Sequence, residues 1–144
     1  MDPASSFAQT DKWFISDLQF HKLYPDALHE QASMHWTPLA IAKRTAEFLA
    51  AENGAKILDI GSGAGKFCLI AAYCQPQSFF YGIEQRPELV SYAESARLVT
   101  GLQNVDFIHK NINQLDLGEY DHFYFFNSFY ENLDDSYKID SSIL

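Results

Sequence analysis

Apolar positions along the chain change period near residue 55. Before it they recur at helical spacing, with Leu39, Ala42, Ala46 and Leu49 on one face of a helix expected over residues 38–52. Thr37-Pro38 offers an N-cap and a first helical residue, and Asn53-Gly54 a stop. After it, short apolar runs alternate with turn signals. Residues 55–60 read as a buried strand, 61–65 as a glycine-rich turn, and 66–73 as an apolar helix against a sheet. A second strand is predicted over 79–84. Pro87 opens a helix to about residue 99, stopped by Thr100-Gly101. Third and fourth strands follow over 105–109 and 122–127. This alternation predicts an α/β fold with a doubly wound, mainly parallel sheet and right-handed crossovers. Upstream, Trp13, Phe14, Ile15, Leu18, Phe20, Leu23 and Tyr24 mix with charges, predicting one or two short helices broken near Pro25. Residues 1–34 are therefore expected to form a helical cap with a disordered start, and residues 35–144 the main domain.

Composition narrows this picture. With 144 residues, 47% hydrophobic and 15% aromatic, the chain can bury one core without disulfides or metal. No apolar run approaches the roughly 20 residues that span a bilayer, so no membrane partner is expected. The start Met1-Asp2-Pro3-Ala4 lacks the basic-then-apolar order of a secretory signal. Cys68 and Cys74 share one predicted helix on different faces, which reads as two buried free thiols and points to a cytoplasmic location. The five histidines are scattered, and no metal site is expected. The net charge is −9 with no basic stretch, which favours a protein or small-molecule partner over nucleic acid.

The residues between the first strand and the next helix carry the chemistry. Glycines there let the backbone turn sharply and approach a ligand at a helix N-terminus. In Leu58-Asp59-Ile60-Gly61-Ser62-Gly63-Ala64-Gly65, a phosphate-cradling Walker loop fails twice: Ile60 stands at its first glycine, and Lys66 is followed by Phe67. The dinucleotide fingerprint fails once, because Lys66 occupies its third glycine. Asp-x-Gly-x-Gly-x-Gly fits throughout and resembles motif I of the class I S-adenosylmethionine-dependent methyltransferases. The alternative is a tight turn without a ligand.

That resemblance implies the rest of a cofactor site. Asp59, Gly61, Ser62, Gly63 and Gly65 would surround the methionine part, whose ammonium and sulfonium suit a carboxylate. Glu84, with Gln85 beside it, ends the second strand, where a carboxylate can accept from both hydroxyls of a ribose. Asn111 and Ile112 match the pair that meets and covers the adenine, although Asn is also a common turn residue. His35-Trp36-Thr37-Pro38 is similar to a segment that closes over the cofactor's carboxylate, with Thr37 as the contact. Phe126-Asn127-Ser128-Phe129-Tyr130 resembles motif IV, and more distantly the Asn-Pro-Pro-Tyr loop of amino-methyltransferases. Asn127 would orient a nitrogen nucleophile and touch the cofactor, and Tyr130 would stack on the target; Ser128 and Phe129 replace the two prolines. The fold so implied is Rossmann-like and incomplete, with about four of seven strands and an open edge for a second copy or a partner to cover. The expected function is methyl transfer to a nitrogen on a protein or small molecule. The alternative is a non-catalytic cofactor-binding or interaction module; a nucleotide-dependent oxidoreductase would need Lys66 to tolerate a dinucleotide.

Overall fold

A computed structural model describes residues 10–125. Asn127, Tyr130 and the remainder of the expected motif IV lie outside them. Four strands, β1 (Lys56–Ile60), β2 (Phe79–Glu84), β3 (Val105–His109) and β4 (His122–Tyr124), form one parallel sheet in the order β3-β2-β1-β4. The chain winds outward from β1 through β2 to β3, then returns to the other side of β1. Such a reversal leaves a crevice at the carboxyl ends of the strands. Register brings the polar residues to that end together: Asp59 lies beside Gly82 and Tyr124, and Glu84 beside His109.

The helices α1 (Asp17–His21), α2 (His29–His35), α3 (Leu39–Leu49), α4 (Lys66–Cys74) and α5 (Pro87–Thr100) flank the sheet, with short 3-10 turns at Lys12–Phe14 and Asp26–Leu28 before α2. The segment before α3 is thus more broken than the one or two helices expected, because Ser16 and Pro25 each start a new turn. Helix α4 buries Phe67, Cys68, Leu69, Ile70, Ala71 and Ala72 between the sheet and α3. It therefore lacks a polar face until its last turn. Cys68 is buried and Cys74 only half-buried, and both are free thiols. Helix α5 starts on Pro87 and ends on Gly101 at φ 75°, as its sequence signals require. Helix α3 stops at Leu49, several residues before Gly54, and Thr37 does not cap it. No helix of the described residues is long and apolar enough to cross a membrane.

The N-terminal segment is fastened to the start of α4. Lys66 Nζ, on a side chain only 4% exposed, donates to Asp17 Oδ1 at 2.5 Å. It also lies 2.9 Å from His21 Nε2. Asp17 Oδ1 accepts from Leu39 N–H as well, so one oxygen ties α1 to both α3 and α4. Tyr24 Oη donates to Ala64 O at 2.8 Å, and Trp36 meets the rings of His21 and Tyr24 edge-on. Burial and the neighbouring charge of Lys66 push the His21 imidazole down to about 4. It is thus neutral near pH 7 and accepts from the ammonium.

Two consequences are measurable. A Cβ at Gly65, where φ is +90°, would stand 2.6 Å from Phe107 Cζ, whereas one at Gly54, φ +80°, would meet open space. Gly65→Ala is expected to cost about 1–3 kcal/mol in urea unfolding, more than Gly54→Ala; equal effects would contradict this packing. For His21, the unfolded chain takes up a proton near pH 6.5 that the folded chain refuses until about 4. Stability should therefore fall as pH drops through that window and be fully present above it. The urea midpoint should decline from pH 7.5 to 5.5, and His21→Gln should flatten the decline; identical slopes in the two proteins would contradict it.

Candidate cofactor and active site

The turn after β1 rests on the end of β2. Gly61 N–H and Ser62 N–H both donate to Ile83 O at 3.0 Å, and Gly63 N–H donates to Glu84 Oε1 at 3.0 Å. Gly61, Gly63 and Gly65 take φ of 72°, 58° and 90°, all left-handed. Side chains resist that conformation, which is why this position needs glycines. Gly82 is required for a different reason: a Cβ there would lie 2.6 Å from Ser62 Cβ and Oγ. Ser62 Oγ is buried and has no hydrogen-bond partner among the described residues.

Around this turn the carboxyl ends of the strands enclose a cleft in two compartments that meet at Gly61. The larger, of about 190 Å³, is lined by Ile60, Ile83, Glu84, Gln85, Arg86, Lys110, Asn111, Ile112 and Phe125. The smaller, of about 30 Å³, is lined by His35, Trp36, Thr37, Asp59, Ser62, Ala64, Lys66, Phe67 and Tyr124. Every cofactor-site residue expected within residues 10–125, Gly63 and Gly65 apart, lines one or the other; those two glycines shape the turn between them.

Glu84 is buried and heavily engaged. Arg86 donates to it through the backbone N–H at 3.0 Å, Nε at 2.8 Å and Nη2 at 3.2 Å. Burial alone would raise the Glu84 pKa, but these bonds and that from Gly63 hold it below the usual carboxylate range. Glu84 is thus a fixed anion at neutral pH. Asp59 is also buried and accepts from Cys68 Sγ at 3.7 Å. Burial, reinforced by Asp59, raises the Cys68 thiol well above its ordinary pKa, so it is a donor and not a nucleophile.

Two expected contacts are otherwise occupied. Thr37 Oγ1 bonds Tyr124 Oη at 2.9 Å, tying the start of α3 to β4. The Tyr124 ring stacks on Phe67 with centroids 3.7 Å apart. Asn111 caps the 3-10 turn Ile112–Gln114, its side chain accepting from Gln114 N–H while Gln114 Oε1 accepts from Asn111 N–H. Its Nδ2 reaches Gln85 Oε1 at 3.5 Å. Sequence reasoning did not single out Arg86, Lys110 or Lys66 as lining residues. Trp36 had a signal as the aromatic before Thr37-Pro38, and Lys66 one as a lone charge opening an apolar helix.

Similarities to known proteins agree with this geometry. A model of the methyltransferase domain family matches residues 51–135. A tRNA (guanine-N(7)-)-methyltransferase of Synechococcus sp. (strain JA-3-3Ab) is 50% identical over 56 residues, covering 39% of this chain and 24% of that protein. The corresponding enzyme of Microcystis aeruginosa is 45% identical over 56 residues, 39% of this chain and 26% of its own. The match thus spans about a quarter of these relatives' length. Two solved structures share the fold. An RNA methyltransferase from Salinibacter ruber superposes with TM-score 0.55 at 24% identity, over 69% of this chain and 66% of its own. A SAM-dependent O-methyltransferase from Thermotoga maritima superposes with TM-score 0.56 at 23% identity, over 70% and 40%. These relatives correct one expectation: disfavouring nucleic acid as a partner does not stand, since the curated relatives act on tRNA. Net charge sums the whole surface, whereas phosphate contacts depend on local cations, and Arg86 and Lys110 both line the larger compartment. The chain belongs to the methyltransferase domain family and is a small class I S-adenosylmethionine-dependent methyltransferase domain.

Proposed function

We propose that this protein methylates a ring nitrogen of guanine in RNA, with S-adenosylmethionine bound across the two compartments. The observation that carries the reading is the 50% identity to a tRNA (guanine-N(7)-)-methyltransferase. The residues fit the cofactor. Glu84 at the floor of the larger compartment presents the anion that a ribose diol would share with Arg86. Ile60, Ile83 and Ile112 give that compartment apolar walls suited to a purine. Asp59 supplies a buried anion at the smaller end, where the cofactor's cationic groups would lie.

When bound, the cofactor supplies an activated methyl group, and the protein's task is to align donor and acceptor. Alignment of this kind is worth roughly 7–11 kcal/mol of barrier. A guanine N7 carries a lone pair and no proton, so its methylation needs no general base. That suits a cleft in which Cys68 is held protonated and Asp59 and Glu84 are already engaged. Arg86 and Lys110 at the larger compartment would meet RNA phosphate, and Asn127 and Tyr130 are proposed to orient and stack the target base.

Calorimetry with S-adenosylhomocysteine tests the cofactor half: micromolar binding is expected, abolished in Gly63→Arg. The acceptor half is tested with labelled S-adenosylmethionine and two transcripts of one tRNA, made with guanosine or with 7-deazaguanosine. Labelling confined to the guanosine transcript is expected; equal labelling of both, or transfer to protein only, would overturn the assignment.

A further inference from the structure

The carboxylate of Glu84 is saturated by the protein itself. A carboxylate offers about four acceptor positions, two on each oxygen. Oε1 accepts from Gly63 N–H at 3.0 Å and from Arg86 Nη2 at 3.2 Å. Oε2 accepts from Arg86 N–H at 3.0 Å and from Arg86 Nε at 2.8 Å. A ribose diol that donates both its hydroxyls would need two of these positions, so two of the present donors must leave.

The donors are of two kinds. Gly63 N–H is held by the left-handed turn, at φ 58°. Arg86 N–H is held by the chain, because Pro87 favours extended backbone at the residue before it, and Arg86 has φ −89° and ψ 111°. Neither amide can withdraw without moving the turn, the end of β2 or the start of α5. The guanidinium is different. It ends a long side chain that is 21% exposed, against 3% for Glu84, and it lines the larger compartment. Turning it away breaks a partly exposed ion pair, and such pairs contribute little.

We propose that the Arg86 side chain is a built-in competitor for the ribose diol, holding Glu84 until a nucleoside displaces its two bonds. The guanidinium and the diol use the carboxylate by turns, while the two backbone amides keep their bonds in both states. Arg86 is thus a positioning residue that acts through Glu84. It satisfies the buried anion in the free protein and lowers the affinity of any ligand that must claim it. The inference rests on the cofactor reading above and deepens it, because it names what sets the affinity of that site.

Calorimetry with two ligands tests it: S-adenosylhomocysteine and its 2′,3′-dideoxy analogue, which lacks only the diol. In wild-type protein the two should bind within about threefold of each other, since the diol gains bonds that the guanidinium gives up. In Arg86→Met, with folding checked by circular dichroism and thermal melting, S-adenosylhomocysteine should bind about 3–30-fold more tightly, and the analogue within about twofold of wild type. Arg86→Gln serves the same purpose if the Met variant does not fold. Unchanged or weaker binding of S-adenosylhomocysteine in the variant would overturn the proposal. So would equal tightening of both ligands, which would make Arg86 an obstruction to the cleft and not a rival for the diol. Failure of wild-type protein to bind S-adenosylhomocysteine would instead refute the cofactor reading, and this inference with it.

Discussion

The contact on which the site depends is the one between the glycine turn and the end of β2. Three consecutive amides, from Gly61 to Gly63, donate to Ile83 O and Glu84 Oε1. Those bonds fix the turn at the carboxyl end of the sheet, and that from Gly63 adds to the stronger hold of Arg86 that keeps Glu84 ionised. They also require Gly82 to lack a side chain, because Ser62 lies directly on it. A single constraint thus sets the backbone, the buried charge and the local sequence. It also explains why Asp59 and Glu84, separated by 25 positions, end up on neighbouring strands at one crevice.

The N-terminal segment acts on the same turn from the opposite side. Tyr24 holds Ala64 O, and Asp17 and His21 hold Lys66, so the turn is clasped between β2 and the cap. The N-terminal segment therefore supports the turn from behind, while the cleft itself is lined from His35 onward. A buried lysine beside a neutral histidine is costly to assemble unless every donor finds an acceptor.

Much of the architecture was legible in the sequence. Strands β2 and β3 fall on residues 79–84 and 105–109 as expected, because each is an apolar run bounded by strong turn residues. The left-handed glycines and Glu84 were legible for the same reason: their chemistry lies within one short stretch. What could not be read were pairings between distant residues. Thr37 looks like a helix cap, yet its hydroxyl goes to Tyr124, 87 positions away. Lys66 meets Asp17 from 49 positions away, which no local pattern encodes. Asn111 lies between the two cases. An Asn with Gln three residues later is a visible capping pattern, and the structure uses it so, even as the residue lines the larger compartment. Nucleic acid was disfavoured as a partner because overall charge stood in for local charge.

The central claim is that one cofactor engages both sides of this clasp at once. Hydrogen–deuterium exchange with and without S-adenosylhomocysteine tests it most directly. Protection is expected to rise together in residues 61–66, at residues 84–86 and around Trp36 and Thr37, with the far ends of the strands unchanged. Protection confined to residues 84–86 and 111–112, with the turn and the cap exchanging as in the free protein, would contradict the account.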